Sequence, residues 1–487
     1  MQRIILTGLT LLAVAAAAQA QNTSTLSQNG NNQSATFLQT GNGNAATVRQ
    51  LTGAASPVNI GNVASVTQTA NASPTNQAFI DQLNGADYNQ ATIRQSGGSN
   101  NRAAIEQNGS NGFRSGGSTL QAPGLGSAPL ATDGNYGAIL QVGSGNNQTN
   151  IYQNAGPLGG SGANYGNIVQ LGSNNGLTVI EQQNNSTQNR AQVEQGVIDA
   201  PGTANSGVVR QSDNSSLNLG LIKQTGESQT AEVLQTSVSS QNEARIDQSG
   251  QSGLALVYQT GDATNNLADI TQVSNSAQPN AATIYQTDQS YYNQATVQQA
   301  GNNSVAQIIQ NFSSANNVGT IEQGATGNNN LATIQQTYAW EGASAGATAS
   351  YGSGSTATIQ QNLTTSSALG NVAVVEQGFI NGLSPVDGST IVTKKSVVTI
   401  GQENDVNVAQ VQQGGENNQL TATQSGYSTI KGIDNGPLVN NYAQQIGNNN
   451  TLTVTQAGSV SVQNLANIYQ VGSFNSSTVI QTLPGQQ

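Results

Sequence analysis

One short phrase of alternating polar and apolar residues recurs along the chain. It reads Asn-x-Ala-x-(Ile/Val)-x-Gln, as in Asn242–Gln248, Asn266–Gln272 and Asn280–Gln286. We call each occurrence an arm. Its fixed positions are two residues apart, which is the period of a β-strand, whose side chains alternate between two faces. One face of each arm therefore carries Asn, Ala, Ile or Val, and Gln, while the other carries the variable residues.

The charged residues indicate which face lies inside. Glu243, Arg245 and Asp247 all occupy variable positions of one arm. Because an unpaired buried charge is costly, we expect the variable face in solvent and the fixed face in the interior. Stacked amides about 4.8 Å apart can then hydrogen-bond in a ladder.

These arguments predict two sets of structural site residues. The predicted ladder amides are Asn44, Gln50, Asn89, Gln95, Asn242, Gln248, Asn266, Gln272, Asn280, Gln286, Asn293, Gln299, Asn330, Gln336, Asn464 and Gln470. The predicted inner apolar residues are Ile93, Ile246, Ile270, Ile284, Ile334 and Ile468.

The spacing of the arms predicts the fold. The closing glutamines Gln211, Gln224, Gln235, Gln248 and Gln259 are separated by gaps that alternate between 13 and 11 residues. The true repeat is therefore two arms, a length typical of solenoids. Between the arms lie Gly and Asn, which tolerate the positive φ of tight turns. We predict an all-β, two-strand-per-rung β-solenoid of cross-β, amyloid-like type, with Gly/Asn turns.

The chain is predicted to begin with a secretory signal peptide at residues 1–20. Arg3 supplies the positive start, Ile4–Ala18 the apolar stretch, and Ala18–Ala20 a small-residue cleavage site. No later segment is apolar enough to span a membrane, so we expect none in the mature chain. Residues 21–487 are assigned to the repeat solenoid. Its predicted loop insertions are 108–134, 337–354, 378–397 and 425–438.

Composition excludes several classes of protein. Hydrophobic residues make up 35% of the chain, below the roughly 45–50% of ordinary domains, so several conventional cores cannot form. Without cysteine there is no disulfide framework. The net charge of −11 opposes nucleic-acid binding. Histidine is absent and the acidic residues are scattered, so we predict no enzyme activity, no metal site and no cofactor.

The arms resemble the curlin repeats of the bacterial curli amyloid family. The spacing Gln39-x4-Asn44-x5-Gln50 is similar to the family's repeat, and it recurs with a longer turn before Asn242. The resemblance implies a subunit that is secreted through the periplasm and a curli-type secretion channel. It also implies polymerisation with copies of itself, and with related curlin subunits or a nucleator, into extracellular fibres for adhesion and biofilm matrix at the cell surface.

The first and last arms are the predicted polymerising edges, because an outermost strand has unpaired N–H and C=O groups. The residues assigned to these edges are Asn22, Gln28, Asn475, Val479 and Gln481.

A monomeric extracellular β-solenoid adhesin or surface-binding protein is the alternative. A flat threonine array would indicate ice binding, and Thr451, Thr453 and Thr455 point outward together. One rung is not an array, however. The neighbouring arms place other residues at comparable positions, namely Tyr469, Asn467 and Gln412.

Overall fold

The structure is a computed structural model. It describes residues 22–29, 33–51, 62–70, 76–86, 89–97, 100–110, 119–122, 126–129, 135–143, 147–154, 164–172, 175–196, 204–274, 279–311, 314–324, 329–337, 352–362, 370–378, 395–403, 407–431, 443–457 and 464–482. The predicted signal peptide at 1–20 lies outside these residues, as do large parts of the predicted insertions.

The chain divides into two compact units, Met1–Ser206 and Gly207–Gln487. Within the described residues both contain strands and turns but no helix. The strands of the first unit are β1 (Thr23–Asn29), β2 (Ser34–Gly41), β3 (Ala45–Leu51), β4 (Val63–Ala70), β5 (Gln77–Ala86), β6 (Gln90–Ser96), β7 (Arg102–Ser110), β8 (Thr119–Ala122), β9 (Gly126–Pro129), β10 (Tyr136–Val142), β11 (Gln148–Asn154), β12 (Tyr165–Leu171), β13 (Leu177–Gln183) and β14 (Arg190–Gln195).

The second unit follows the same plan, and the first residue of its opening strand is the last residue of the first unit. Its strands are β15 (Ser206–Ser212), β16 (Leu219–Glu227), β17 (Thr230–Thr236), β18 (Glu243–Gln251), β19 (Gly253–Thr260), β20 (Leu267–Ser274), β21 (Asn280–Thr287), β22 (Gln294–Gln299), β23 (Val305–Asn311), β24 (Ser314–Ala315), β25 (Val318–Gln323), β26 (Leu331–Thr337), β27 (Gly352–Ser353), β28 (Thr356–Asn362), β29 (Val372–Gly378), β30 (Val397–Glu403), β31 (Val408–Gly414), β32 (Gln419–Ser425), β33 (Ser428–Lys431), β34 (Ala443–Ile446), β35 (Thr451–Ala457), β36 (Asn464–Asn467), β37 (Tyr469–Val471) and β38 (Ser476–Thr482).

Successive arms alternate between two parallel sheets in each unit. In the first unit, the first sheet runs β1-β3-β5-β7-β11-β13 and the second runs β2-β4-β6-β10-β12-β14. In the second unit, the first sheet runs from β17 through β19, β21, β23, β26, β29 and β31 to β33–β34 and β36–β37. Its second sheet runs β16-β18-β20-β22-β25-β28-β30-β32-β35-β38.

Each strand stacks in register on its equivalent in the next repeat. Between β18 and β20, for example, Ile246 lies opposite Ile270 and Gln248 opposite Gln272. A rung is thus one strand from each sheet, and the predicted two-strand-per-rung solenoid is confirmed. The core lies between the sheets and consists of stacked Ala and Ile or Val side chains, such as Ala244 and Ile246, which are almost fully buried.

One arm of the second unit is interrupted, and here the predicted insertion at 425–438 is wrong. Its first half is β33, where Ser428 and Ile430 are buried, and its second half is β34. Both halves pair with β31, so together they occupy the place of one strand. The insertion therefore lies inside an arm, between Lys431 and Ala443. A search for intact seven-residue phrases misses such an arm because its alternation is broken halfway.

The predicted insertion at 108–134 contains a small hairpin. β8 and β9 pair in antiparallel fashion and form a separate two-stranded sheet. The predicted Gly/Asn turns are only part of what the structure uses. Positive φ also occurs at larger residues, among them Leu217 (φ 55°), Val238 (φ 64°) and Tyr292 (φ 53°). Such residues are strained in this conformation, so the stacked turns must hold them there.

Candidate functional site

The buried glutamines form ladders that follow the stacking direction. Gln50 Nε2 donates to Gln82 Oε1 (2.8 Å), and Gln82 Nε2 donates in turn to Gln107 Oε1 (2.8 Å). In the first unit the two ladders are Gln28-Gln50-Gln82-Gln107-Gln153-Gln182 and Gln39-Gln68-Gln95-Gln141-Gln170-Gln195. In the second unit they are Gln211-Gln235-Gln259-Gln286-Gln310-Gln336-Gln377-Gln413-Gln445-Gln470 and Gln224-Gln248-Gln272-Gln299-Gln323-Gln361-Gln402-Gln424-Gln456-Gln481.

The same glutamines also connect the two sheets. Gln259 Nε2 donates to Gln286 Oε1 (2.8 Å) and also to the backbone carbonyls of Glu243 (3.1 Å) and Asn266 (3.1 Å) in the other sheet. An amide nitrogen has two hydrogens, so one can serve the ladder while the other serves the opposite sheet. This satisfies a polar side chain that would otherwise be costly to bury.

The asparagines use a different arrangement, which the ladder prediction did not include. Asn242 Oδ1 accepts from the backbone N–H of Asn266 (2.9 Å), and Asn266 Oδ1 accepts from the backbone N–H of Asn293 (2.9 Å). Each Asn thus binds the main chain of the next rung. Asn266 Nδ2 donates to the carbonyl and hydroxyl of Ser290 (2.9 and 3.0 Å) in a neighbouring turn. Buried turn serines of this kind were missed, although a Ser three residues before an arm's Asn is a usable signal.

The structure places nearly all of the predicted inner residues in the interior. The named Asn and Gln side chains of the ladders are at most 1% exposed, apart from Gln470 at 7% and Asn464, which is half-buried. The six named isoleucines are at most 7% exposed. Asn464 and Gln470 are more exposed because their strands, β36 and β37, form the last described rung of the first sheet.

The first described rung of the first unit and the last described strand of the second unit each have an open edge. β1 pairs with β3 and β2 with β4, and no other described strand lies beside them. In the second unit, β38 pairs with β35 alone among the described strands. The inner-face side chains of these rungs are partly exposed, including the predicted edge residues Asn22, Asn475, Val479 and Gln481, and Gln28 is exposed.

The backbone direction changes the role of one predicted edge residue. The carbonyl of Asn475 accepts from Thr451 N–H (2.8 Å), so the main chain of Asn475 faces β35. Backbone groups alternate in direction along a strand, so Val479 also faces β35, whereas Thr478 and Ile480 direct their N–H and C=O groups to the open edge. Val479 therefore belongs to the internal pairing, and the edge groups come from its neighbours.

The outward face carries paired charges and aromatic stacks. Arg210 Nη1 lies 2.9 Å from Glu232 Oε1, and Arg245 pairs with Glu243. The Tyr258 and Tyr285 rings stack with centroids 5.0 Å apart. No group of three or more His, Cys, Asp or Glu that could hold a metal ion occurs among the described residues. The fold and its regular outer face are those of a structural repeat protein.

Within the described ranges, no helix has the length and apolar character needed to cross a membrane. Residues 21–51 match the family model described as curlin associated repeat. These residues span the first three arms, Asn22–Gln28, Gln33–Gln39 and Asn44–Gln50. No curated protein matches the chain in sequence. This match confirms the resemblance in the arms at residues 21–51, which carry a curlin associated repeat.

Proposed function

We propose that this protein is a secreted structural subunit that self-assembles into curli-like extracellular amyloid fibres for adhesion and biofilm matrix. The observation that carries the proposal is the directional glutamine ladder. Within each ladder, every glutamine before the last donates to the glutamine one rung closer to the C-terminus, as Gln456 does to Gln481 (2.6 Å). Adding another chain in the same direction repeats bonding that already exists inside each unit.

The two outer rungs are complementary to each other. At the first rung, Gln28 Nε2 donates to Gln50 (2.6 Å), and its Oε1 has no donor among the described residues. At the last rung, Gln481 Nε2 donates to the Leu465 carbonyl (3.0 Å), which leaves one hydrogen for a further acceptor. In head-to-tail addition each sheet continues separately, so Gln481 of one copy meets Gln39 of the next in the second sheet, and Gln470 meets Gln28 in the first. Head-to-head addition would oppose like groups, so the fibre is polar, with heterologous contacts that do not close.

The pathway part of the proposal rests on the sequence. The charged start, apolar stretch and cleavage site at residues 1–20 support export to the periplasm. The curlin associated repeat at 21–51 supports passage through a curli-type secretion channel and co-assembly with related curlin subunits or a nucleator. The fibre would then lie outside the cell, at its surface.

The test is assembly of the purified chain without residues 1–20. We expect fibres that bind amyloid dyes, elongate from seeds, and diffract near 4.8 and 10 Å, the spacings of strands and of facing sheets. A chain that folds into the β-solenoid but stays monomeric at high concentration for days would overturn the proposal. That result would favour the monomeric adhesin.

A further inference from the structure

A column of threonines runs along the outward face of the second sheet in the second unit. It occupies the central outward position of seven consecutive strands, from Thr296 through Thr320, Thr358, Thr399, Thr421 and Thr453 to Thr478. Each of these threonines lies directly opposite the next in the parallel register, so their spacing is that of the strands, about 4.8 Å. We call these seven residues the threonine column.

The threonine column cannot be recognised by comparing consecutive arms of the sequence, because consecutive arms belong to different sheets. The arm Asn464–Gln470, which follows Thr453, contributes its outward residues to the other sheet. The true neighbours of Thr453 are Thr421 and Thr478. The comparison of adjacent arms that argued against a threonine array therefore compared residues on two opposite faces of the solenoid. The structure corrects that step.

The hydroxyls of the column are available to a ligand. All seven side chains are partly or fully exposed. None of their Oγ1 atoms takes part in a hydrogen bond within the described part of the chain, although hydroxyls elsewhere do, such as Thr178 Oγ1 with Gln195 (2.7 Å). Each can donate one hydrogen bond and accept two.

The surroundings of the column carry almost no charge. Two residues before and two after each threonine, the outward positions hold Gln, Thr, Val, Ser, Gly or Ile, and Glu322 is the one charged residue among them. None is aromatic, which disfavours a glycan that stacks on aromatic rings. The preceding strands of the same sheet differ, since Lys223, Arg245 and Asp269 lie at equivalent outward positions. Apart from Glu322, the central and flanking outward positions are thus uncharged from the start of the threonine column.

We propose that the threonine column and its neutral flanks form a face that pairs with the same face of a second copy of this chain. The first argument is periodicity. A second copy has the identical repeat, so donors, acceptors and methyl groups stay matched over the full length of the column, whereas any other surface must match by coincidence. Facing sheets about 10 Å apart with small interdigitated side chains are the geometry of a steric zipper.

The second argument is electrostatic. Copies with a net charge of −11 repel each other, and across this face the one like charge that two copies bring together is that of Glu322. The third argument is the area of the face. Seven strands about 4.8 Å apart, each about seven residues long at about 3.3 Å per residue, cover roughly 750 Å² on each copy. Twice that value approaches the standard protein–protein interface of about 1,600 Å². In a fibre the column recurs along the axis, so pairing would join two fibres side by side.

Cross-linking tests the pairing directly. The chain has no cysteine, so Thr399→Cys places a single thiol at the middle of the column. With a two-fold axis along the stack, this thiol faces its own counterpart across the roughly 10 Å between the sheets, and a short bis-maleimide cross-linker should give a covalent dimer as the main product. The matched control is Thr333→Cys, a threonine at the central outward position of β26 in the other sheet. A linker is used because a disulfide needs Cα atoms within about 7 Å, and the control should stay monomeric because its thiol lies on the opposite face of the solenoid.

The experiment is run on both the soluble chain and fibres. Face pairing rests on the proposed fibre function only in that the threonine column is expected to recur along a fibre. Fibres that form without a Thr399→Cys dimer would overturn face pairing and leave fibre assembly intact. If the soluble chain forms the cross-linked dimer but never forms fibres, face pairing stands and the proposed fibre function is overturned. Equal cross-linking of both variants would show random collision and overturn the pairing.

A second pair of variants tests the same face without a thiol. Thr358→Lys with Thr421→Lys should split paired fibres into single ones and convert soluble dimer to monomer in sedimentation, whereas Thr333→Lys should change neither. Ice is the competing occupant of a periodic hydroxyl column. If the soluble chain slows ice-crystal growth, the double lysine variant abolishes this, and Thr399→Cys stays monomeric, then the column binds a water lattice and the pairing proposal is wrong.

Discussion

The side-chain amide of Gln248 donates to Oε1 of Gln272, 2.7 Å away in the next strand of the same sheet. Gln248 in turn accepts from Gln224 (3.0 Å). Each glutamine in the interior of a ladder is likewise bonded to one glutamine on either side along the stack. Removing one side chain affects two others, which makes the ladder sensitive to substitution at any position.

Gln248→Leu should be strongly destabilising. The variant takes the acceptor from Gln224 and the donor from Gln272, at about 1–3 kcal/mol for each buried group left unsatisfied. Arg245→Ala is the control on the outward face, where the pair with Glu243 is exposed and a loss within about 0.5 kcal/mol is expected. Denaturant unfolding measures both. Equal losses would mean that the ladder does not stabilise the fold.

Gly250→Ala should destabilise the second unit by about 2–5 kcal/mol, the sum of backbone strain and overpacking. Gly250 has φ +88°, and an added Cβ would lie 1.8 Å from the Ser274 carbonyl oxygen of the next turn. Gly401→Ala is the matched control, because its nearest contact would be 4.0 Å away. A melting temperature that falls equally in both variants would contradict the close stacking of the turns.

Val238→Gly should raise stability by several tenths of a kcal/mol, although it removes an apolar side chain. Val238 is β-branched, has φ 64° and is 55% exposed, so little packing is lost and backbone strain is relieved. Val305→Gly is the comparison, since Val305 is 43% exposed but lies within β23. There, glycine should lower stability. Thermal unfolding of the pair decides the point, and a loss at Val238 would refute the strain argument.

Asp269→Asn should change how stability depends on pH. Burial raises the pKa of the Asp269 carboxyl, nearby Asp247 and Glu243 raise it further, and Arg245 opposes the rise. The folded state then binds a proton more tightly than the unfolded chain. Wild-type stability should therefore fall as pH rises from the ordinary aspartate pKa of about 3.9 through the raised folded value. Asp269→Asn lacks this titrating carboxyl. Its free energy of unfolding relative to wild type should therefore rise with pH across that window and should not change with pH below it. Since the group is only half-buried, the effect should be modest. An advantage that is constant with pH would contradict the assignment.

Ile480→Pro should block growth at the C-terminal rung without weakening the subunit. The N–H of Ile480 faces the open edge and its side chain is 67% exposed, so proline deletes an edge donor and no internal bond. Val479→Pro should instead destabilise β38, because that N–H faces β35. Two-colour seeded elongation is the measurement, with the Ile480 variant added in small amounts to wild-type chain. We expect one fibre end to stop. Growth of both ends at the wild-type rate would rule out edge templating at this rung.

Much of the fold follows from the sequence because its information is local. The two-residue period of Asn242–Gln248 fixes an extended conformation, since only a strand places alternate side chains on one face. The position of Glu243 and Arg245 fixes which face is inside, because burial of unpaired charge is too costly. The alternating gaps between closing glutamines fix a repeat of two arms. These features need no knowledge of which strands are neighbours.

Tertiary structure decided everything that depends on contacts between distant residues. Thr453 has a threonine on each side only because arms alternate between two sheets. The split arm is recognised only from the pairing of both β33 and β34 with β31. The bond from Asn266 N–H to Asn242 Oδ1 and the inward direction of Val479 likewise depend on backbone orientation within a parallel pair. Composition and period do not specify that orientation. It is set when the turns bring residues two dozen positions apart into register, which is also what turns seven separate threonines into one column.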